Sequence, residues 1–321
     1  MENVEIVGVG YAQAQRKVTN EDLSTIVETS DEWITKRTGI QSRYITENEN
    51  TSDLAYRASL KAIEDAGIDV SEIDLILCAT ATPDCITPSS ACLIQEKLGL
   101  NGHAVMAFDI NAACSGFVYG LQIASYMLKQ YTCALVIGAE TLSKIIDWHD
   151  RSTCVLFGDG AGAAILRTSA TKQMAFFAQS EGDVQGVLQG KGRPIGKPLT
   201  NDIQPYAYLT MDGSEVFRFA IKAMQKSIET LMEKEGLSLK DIDVWIPHQA
   251  NIRIIQHVAK RMHLDLEKFY INLQEYGNTS AASIAIALAD AKEKGVLKEG
   301  MKVILVGFGA GLTYGAVYLE W

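Results

Sequence analysis

Two hydrophobic rhythms succeed each other along this chain. The leading run, MENVEIVGVGYAQ, reads as a strand. ASLKAIEDAG (58–67) has helical spacing and stops at Gly67, and IDLILCATA (73–81) is a continuous apolar run that reads as a buried strand. A helix is expected over 90–98, a strand at HAVMAFDI (103–110), a helix at GFVYGLQIASYMLKQ (116–130) and a strand at CALVIGAE (133–140). FGDGAGAAILR (157–167) reads as a turn feeding a strand. The second half repeats the order: a long helix at 215–236, a strand and turn at IDVWIPHQA (242–250), a helix at 252–262, a strand at FYINL (269–273), a helix at 280–295, and strands at 301–309 and 314–321.

The repetition has a measurable spacing. Asp74 precedes Gly138 by 64 positions, and Asp243 precedes Gly307 by the same 64. GAAIL (162–166) also resembles GAVYL (315–319). Two similar α/β halves are expected, 1–170 and 171–321, with their sheets packed on shared central helices. No linker separates them, and KGRPIGKPLTNDIQP (191–205) reads as a surface loop within the second half.

Composition narrows the class. The 321 residues are 47% apolar and 21% charged, enough for a large core and against disorder. A formal charge of −10 argues against a general nucleic-acid binder. There is no basic leader with an apolar segment behind it, and no apolar stretch near the ~18 residues of a membrane span. Cysteines at 78, 85, 92, 114, 133 and 154 show no metal-binding spacing with each other or with the five histidines. Reduced thiols and a cytoplasmic location are expected.

Cys114 carries the chemical question. In FDINAACSGFVYG it stands between a strand and a helix, among small residues that let a substrate approach. Unpaired amides at a helix start favour a thiolate and lower its pKa. Packing gives the other reading, an inert core thiol, because free Cys is among the most buried residue types. His248 in WIPHQANIRII follows a strand at a specific turn, and Asn278 in EYGNTSAASIAIAL stands at a glycine turn before a helix. Alone, each has a structural explanation, as a core histidine or a helix cap. Together, all three are expected at carboxyl ends of strands, one from the first half and two from the second, facing the crevice between them.

The resemblance then becomes specific. AACSGF, DRSTCVLFGDGAGA (150–163), PHQANIRI, EYGNTSAASI and GFGAGLTYGA (307–316) resemble the β-ketoacyl-acyl carrier protein synthase III family of the thiolase superfamily, and the match runs from TSDEWITKRTGIQSRY (29–44) to the C-terminus. The resemblance implies a cytoplasmic homodimer with a thiolase-like αβαβα five-layered fold built from two duplicated halves. It implies initiation of fatty acid synthesis by condensing a short acyl-CoA with malonyl-acyl carrier protein. Cys114 would carry the acyl group, and His248 and Asn278 would donate to the enolate oxygen formed as CO₂ leaves. The oxyanion hole would be the N–H groups of Cys114 and Ala310, although Ala310 stands where the family usually has glycine. Trp33, Arg37, Arg151 and Asn251 would hold CoA, a substrate; no metal or other cofactor is called for.

Two surface features follow. Arg253, His257, Lys260 and Arg261 recur at helical spacing opposite Ile255, Val258, Ala259 and Met262. This is either a solvated face or, as the resemblance implies, a docking patch for the acidic carrier protein, with Arg253 nearest the entrance. Thr87, in PDCITPSSAC (83–92), would reach across the dimer to floor the partner's acyl pocket, where the family often has Phe. A smaller residue there would admit longer or branched primers, at ~0.8 kcal/mol per buried methylene. Gly158, Gly160 and Ala163 match a loose dinucleotide fingerprint but feed a strand, so a nicotinamide site is rejected in favour of close packing between halves. Open alternatives are a condensing enzyme of specialised metabolism that takes malonyl-CoA and a non-catalytic acyl-CoA-binding scaffold; a dehydrogenase is weaker than either.

Overall fold

The computed structural model describes residues 1–183, 185–192 and 207–321. Nearly all of the expected 191–205 loop therefore lies outside the described residues. Strands β1 (Val4–Gln13), β2 (Leu75–Ala79), β3 (Met106–Ile110), β4 (Ala134–Glu140) and β5 (Gly160–Thr168) form one sheet in the order β1-β5-β4-β2-β3. Strands β6 (Met174–Ser180), β7 (Val244–Pro247), β8 (Lys302–Gly309) and β9 (Thr313–Glu320) form a second, in the order β6-β9-β8-β7. Pairing directions match position for position. β1/β5 and β5/β4 are antiparallel and β4/β2 parallel; β6/β9 and β9/β8 are antiparallel and β8/β7 parallel.

Period-two alternation sorts the strand residues into layers. Leu75 and Leu77 of β2, with Val303 and Leu305 of β8, enter a shared middle core around Phe117, Leu121, Ile284 and Leu288. Ile76 and Cys78 point the other way, onto Leu54, Ala58 and Ile94 of the outer helices α1 (Thr51–Ala66) and α2 (Ser90–Lys97). Ile304 and Val306 face Met224, Ile228, Ile255 and Val258 of the outer helices α4 (Gly213–Glu235) and α5 (Ile252–Arg261). The middle layer consists of α3 (Gly116–Met127) and α6 (Ala282–Glu293). Every residue of α6 from Ala282 to Ala291 is buried, as a helix between two sheets requires. The result is helix, sheet, helix, sheet, helix, as expected.

Glycines set how closely the layers approach. A Cβ at Gly138 in β4 would lie 2.2 Å from the Ala281 carbonyl oxygen at the start of α6. A Cβ at Gly307 in β8 would lie 3.2 Å from Ser115 Cα at the start of α3. Each sheet thus opens a gap for the other half's central helix. Gly158 and Gly160 likewise lie against the Tyr276 carbonyl and Ile286, and Gly160 begins β5, a strand, where a dinucleotide fingerprint would open a helix.

One expected strand is absent. Of FYINL, only Phe269 bridges to Trp245; Leu273 already opens a short helix, Leu273–Tyr276. The buried Gln249 side chain takes the place of a partner strand. Its Nε2 donates to the Tyr270 carbonyl, and its Oε1 accepts from the N–H groups of Asn272 and Leu273.

Candidate active site

The loop after β3 turns sharply at Ala113, whose φ of 46° is left-handed, and Cys114 sits in the single 3-10 turn Ala113–Ser115 that feeds α3. Its approach to the second half depends on Gly309: a Cβ there would stand 2.8 Å from Cys114 N and 2.9 Å from its Cβ. Thr313 Oγ1 stands between the Ala112 and Ala310 carbonyls at 2.9 and 3.0 Å, and Ser115 Oγ donates to the Thr313 carbonyl at 3.0 Å. Ala310 is outside the left-handed region, which falls instead on Gly311 at φ 131°, so the Ala310 methyl adds no backbone strain.

His248 leaves β7 with its N–H bonded to the Val306 carbonyl at 2.8 Å. Its ring meets Phe308 edge-on at 5.1 Å between centroids, and Nδ1 lies 2.6 Å from Ser283 Oγ on α6. Asn278 does not end a strand, a correction that follows from the missing FYINL strand. It is clamped by its own backbone, N–H to the Leu156 carbonyl at 2.8 Å and carbonyl from the Gly158 N–H at 3.0 Å. The Ser280 N–H donates to Asn278 Oδ1 at 2.9 Å, which identifies the other side-chain atom as the amide nitrogen. That nitrogen has no protein partner among the described residues.

Cys114, His248 and Asn278 are 7%, 1% and 7% exposed, and all three line one cavity of about 1850 Å³. The thiol lines a cavity and is not enclosed in a closed core, yet its electrostatics differ from expectation. Burial pushes Cys114 up to about 12, with a hydrogen bond to Ser280 Oγ at 3.4 Å acting the other way. Desolvation therefore outweighs the amide dipoles of the turn, and the resting sulfur is a thiol. Burial also depresses His248 to about 3, so its imidazole is neutral.

The same cavity reaches Trp33, Arg37, Arg151, Asn251, Arg253, Ala310 and Phe217. Trp33 lies on the helix Asp31–Thr38, with the Arg37 and Arg151 guanidinium carbons 4.9 and 4.6 Å from its ring centroid. Asn251 has structural work: Oδ1 caps α5 by accepting from the Arg253 N–H at 2.9 Å, and Nδ2 donates to the Arg37 carbonyl at 3.1 Å. Arg253 stacks over Phe217 at 5.6 Å, and Arg253, His257, Lys260 and Arg261 form the exposed face of α5. Lys260, Arg261 and Thr87 are not among the residues lining the cavity; Thr87 is exposed. No group of three or more His, Cys, Asp or Glu among the described residues is placed to hold a metal ion.

Sequence reasoning missed Ser280 and Ser283, whose hydroxyls touch Cys114 and His248, and no signal in the run SAAS marks them.

Comparisons with known proteins agree with this architecture. The profile described as 3-oxoacyl-(acyl-carrier-protein) synthase III matches residues 108–182, and that of its C-terminal region matches residues 232–321. A β-ketoacyl-(acyl-carrier-protein) synthase III of Clostridium acetobutylicum is 49% identical, the alignment covering 100% of this chain and 99% of the relative. The crystal structure of a 3-oxoacyl-(acyl-carrier-protein) synthase III from Aquifex aeolicus superposes with a TM-score of 0.91 at 42% identity, covering 99% of this chain and 100% of that one. A priming β-ketosynthase of a polyketide biosynthetic pathway gives the same TM-score of 0.91 at 33% identity, covering 99% and 96%. Full-length identity of this order, on a fold whose two halves meet at a cysteine, leaves one conclusion: the chain belongs to the β-ketoacyl-(acyl-carrier-protein) synthase III family of condensing enzymes.

Proposed function

We propose that this enzyme primes fatty acid synthesis, taking a short acyl group from acyl-CoA onto Cys114 and condensing it with malonyl-acyl carrier protein. The observation that carries the reading is the convergence of Cys114, His248 and Asn278 from both halves on one cavity rimmed by Trp33, Arg37 and Arg151. Cys114 Sγ attacks the thioester carbonyl, the oxyanion is met by the N–H groups of Cys114 and Ala310, and CoA leaves. Malonyl thioester then loses CO₂. The enolate oxygen is met by His248 Nε2–H and the Asn278 amide, and the carbanion attacks the acyl-cysteine to give the β-ketoacyl product. His248 is suited to this because a neutral ring donates a hydrogen bond without surrendering its proton. The steps call for no metal or other cofactor.

CoA would lie with its adenine against Trp33 between the two arginines, and its pantetheine arm would pass Asn251. The carrier protein would dock on the Arg253, Lys260 and Arg261 face of α5, a local basic face on a chain of net charge −10. We read the working form as a cytoplasmic homodimer of chains each built from halves 1–170 and 171–321. In support, β3 is an edge strand with Met106 44% exposed, Ile86 beside Thr87 is 92% exposed, and the six cysteines are free. Thr87 would floor the partner's acyl pocket.

Intact-mass measurement after mixing with a panel of acyl-CoAs tests the reading. Wild type gains one acyl group, mapped to Cys114, and the Cys114→Ala variant gains none. Malonyl-carrier-dependent release of CO₂ then distinguishes the synthase from an acyl-binding scaffold. Turnover with malonyl-CoA but not the carrier form would favour a condensing enzyme of specialised metabolism.

A further inference from the structure

Arginine is almost never fully buried unless a partner of opposite charge goes with it. Arg43, in the short strand Ser42–Ile45, is 0% exposed, and no carboxylate pairs with it among the described residues. Burial lowers its guanidinium to about 10, so it stays cationic at neutral pH. Two neutral acceptors hold it: Nη1 donates to Asn20 Oδ1 and Nη2 to the Val155 carbonyl, each at 2.8 Å. Nε is buried and has no protein partner among the described residues. Apolar side chains would fill such a place at lower cost. The two acceptors, however, lead to different parts of the site.

The Nη2 arm reaches the cradle of Asn278. Val155 adjoins Leu156, whose carbonyl accepts the Asn278 N–H at 2.8 Å, and the Gly158 N–H donates to the Asn278 carbonyl at 3.0 Å. The Arg43 stem lies against the same cradle: a Cβ at Gly158 would stand 3.0 Å from Arg43 Cβ, and one at Gly277 3.3 Å. Tyr44, next in the strand, closes the contact, its carbonyl accepting the Asp159 N–H at 2.7 Å. The Nη1 arm reaches the helix Asp31–Thr38, which carries Trp33. The fully buried Asn20 passes the contact on. Its Nδ2 donates to Asp31 Oδ1 in the first turn of that helix and to the Ile40 carbonyl just past its end, both at 2.8 Å.

We propose that Arg43 is a positioning residue whose guanidinium spans two parts of the site, fixing the Asn278 carboxamide for the CO₂-releasing step and the Trp33 helix for CoA. A planar fork with donors at fixed separation sets the distance between two acceptors; a lysine ammonium, a point donor, does not. Arg43 is not among the residues lining the cavity, so it acts through Val155 and Asn20. No bond of the reaction is made or broken on it. The inference deepens the function proposed above and rests on it.

The test measures the half-reactions separately in wild type, Arg43→Lys and Asn20→Asp: acylation of Cys114 by acetyl-CoA, read by mass, and CO₂ release from saturating malonyl-carrier by enzyme already acylated. Arg43→Lys keeps the charge and loses the fork. Its CO₂ release is expected to slow about 30-fold, since a misplacement of about 1 Å costs about 100-fold. Its KM for acetyl-CoA rises about tenfold, while acylation at saturation keeps its rate. Asn20→Asp keeps an acceptor for Nη1 but removes the donor to Asp31 and Ile40, so only the Trp33 arm is cut. Its KM for acetyl-CoA rises about tenfold, and CO₂ release holds at the wild-type rate. A purely structural Arg43 gives another result: equal losses in both half-reactions, following the folded fraction in urea denaturation. That result overturns the proposal, as does wild-type kinetics in Arg43→Lys. If Arg43→Lys does not fold, Asn20→Asp decides: an unchanged KM, or CO₂ release that falls in step with acylation, counts against it. Wild type that acylates at Cys114 but releases no CO₂ from malonyl-carrier defeats the function proposed above instead.

Discussion

A neutral imidazole donates from one nitrogen only, so the partner of the other nitrogen fixes what it can do. Ser283 Oγ accepts from the Gln249 N–H at 3.5 Å and lies 2.6 Å from His248 Nδ1. For His248 Nε2–H to face the enolate, as the proposed steps require, the Ser283 hydroxyl donates to Nδ1 and so selects that tautomer. Ser283→Ala removes that instruction. CO₂ release from malonyl-carrier is expected to fall about tenfold, the worth of one hydrogen bond, while acylation of Cys114 keeps its rate. Separate assays of the two half-reactions check this, and equal losses in both would contradict it. Phe308 packs edge-on against the same ring.

Along single elements, two glycines that face the opposite half are held to very different degrees. Gly138→Ala places a methyl 2.2 Å from a backbone oxygen that cannot move aside, whereas Gly307→Ala meets its nearest atom at 3.2 Å. The first is expected to cost about 3 kcal/mol and the second about 1 or less, measured by urea denaturation. On α5, Lys260→Glu with Arg261→Glu should raise KM for malonyl-carrier and flatten or invert its salt dependence, leaving the acyl-CoA half-reaction unchanged, because neither side chain lines the cavity. Elements of this kind were legible because burial on two faces writes continuous apolar runs and burial on one face writes helical spacing. The apolar stretch Phe269–Leu273 read as a strand and is not one, since the competing partner is a glutamine twenty residues away in the chain. Cys114, His248 and Asn278 were legible from motifs at turns. Ser280 and Ser283 were not, because serines in a small-residue run acquire meaning only when the halves close on Cys114 and His248.

At the scale of the whole molecule, burial of the site couples its protonation to folding. His248 is depressed to about 3 in the folded chain, against about 6.5 for an exposed histidine, so between these values the unfolded chain binds a proton that the folded one refuses. Stability is therefore lost as pH falls below about 6.5, this group contributing up to about 1.4 kcal/mol per unit. His248→Gln should flatten that part of the curve in denaturation measured from pH 7 to pH 4. Over the same range the His248 ring remains an uncharged donor, so the CO₂-releasing step should show no inflection from it. Gly309 gives this scale its last consequence. The end of β8 lies against the backbone of Cys114 so closely that a single methyl would separate them. The thiol is part of one half by covalent bond, yet its hydroxyl neighbour and the imidazole and carboxamide that share its cavity are contributed by the other. Cut between the halves, the first would display an unremarkable cysteine at the end of a loop, and reactivity would return only when the second was added back in stoichiometric amount.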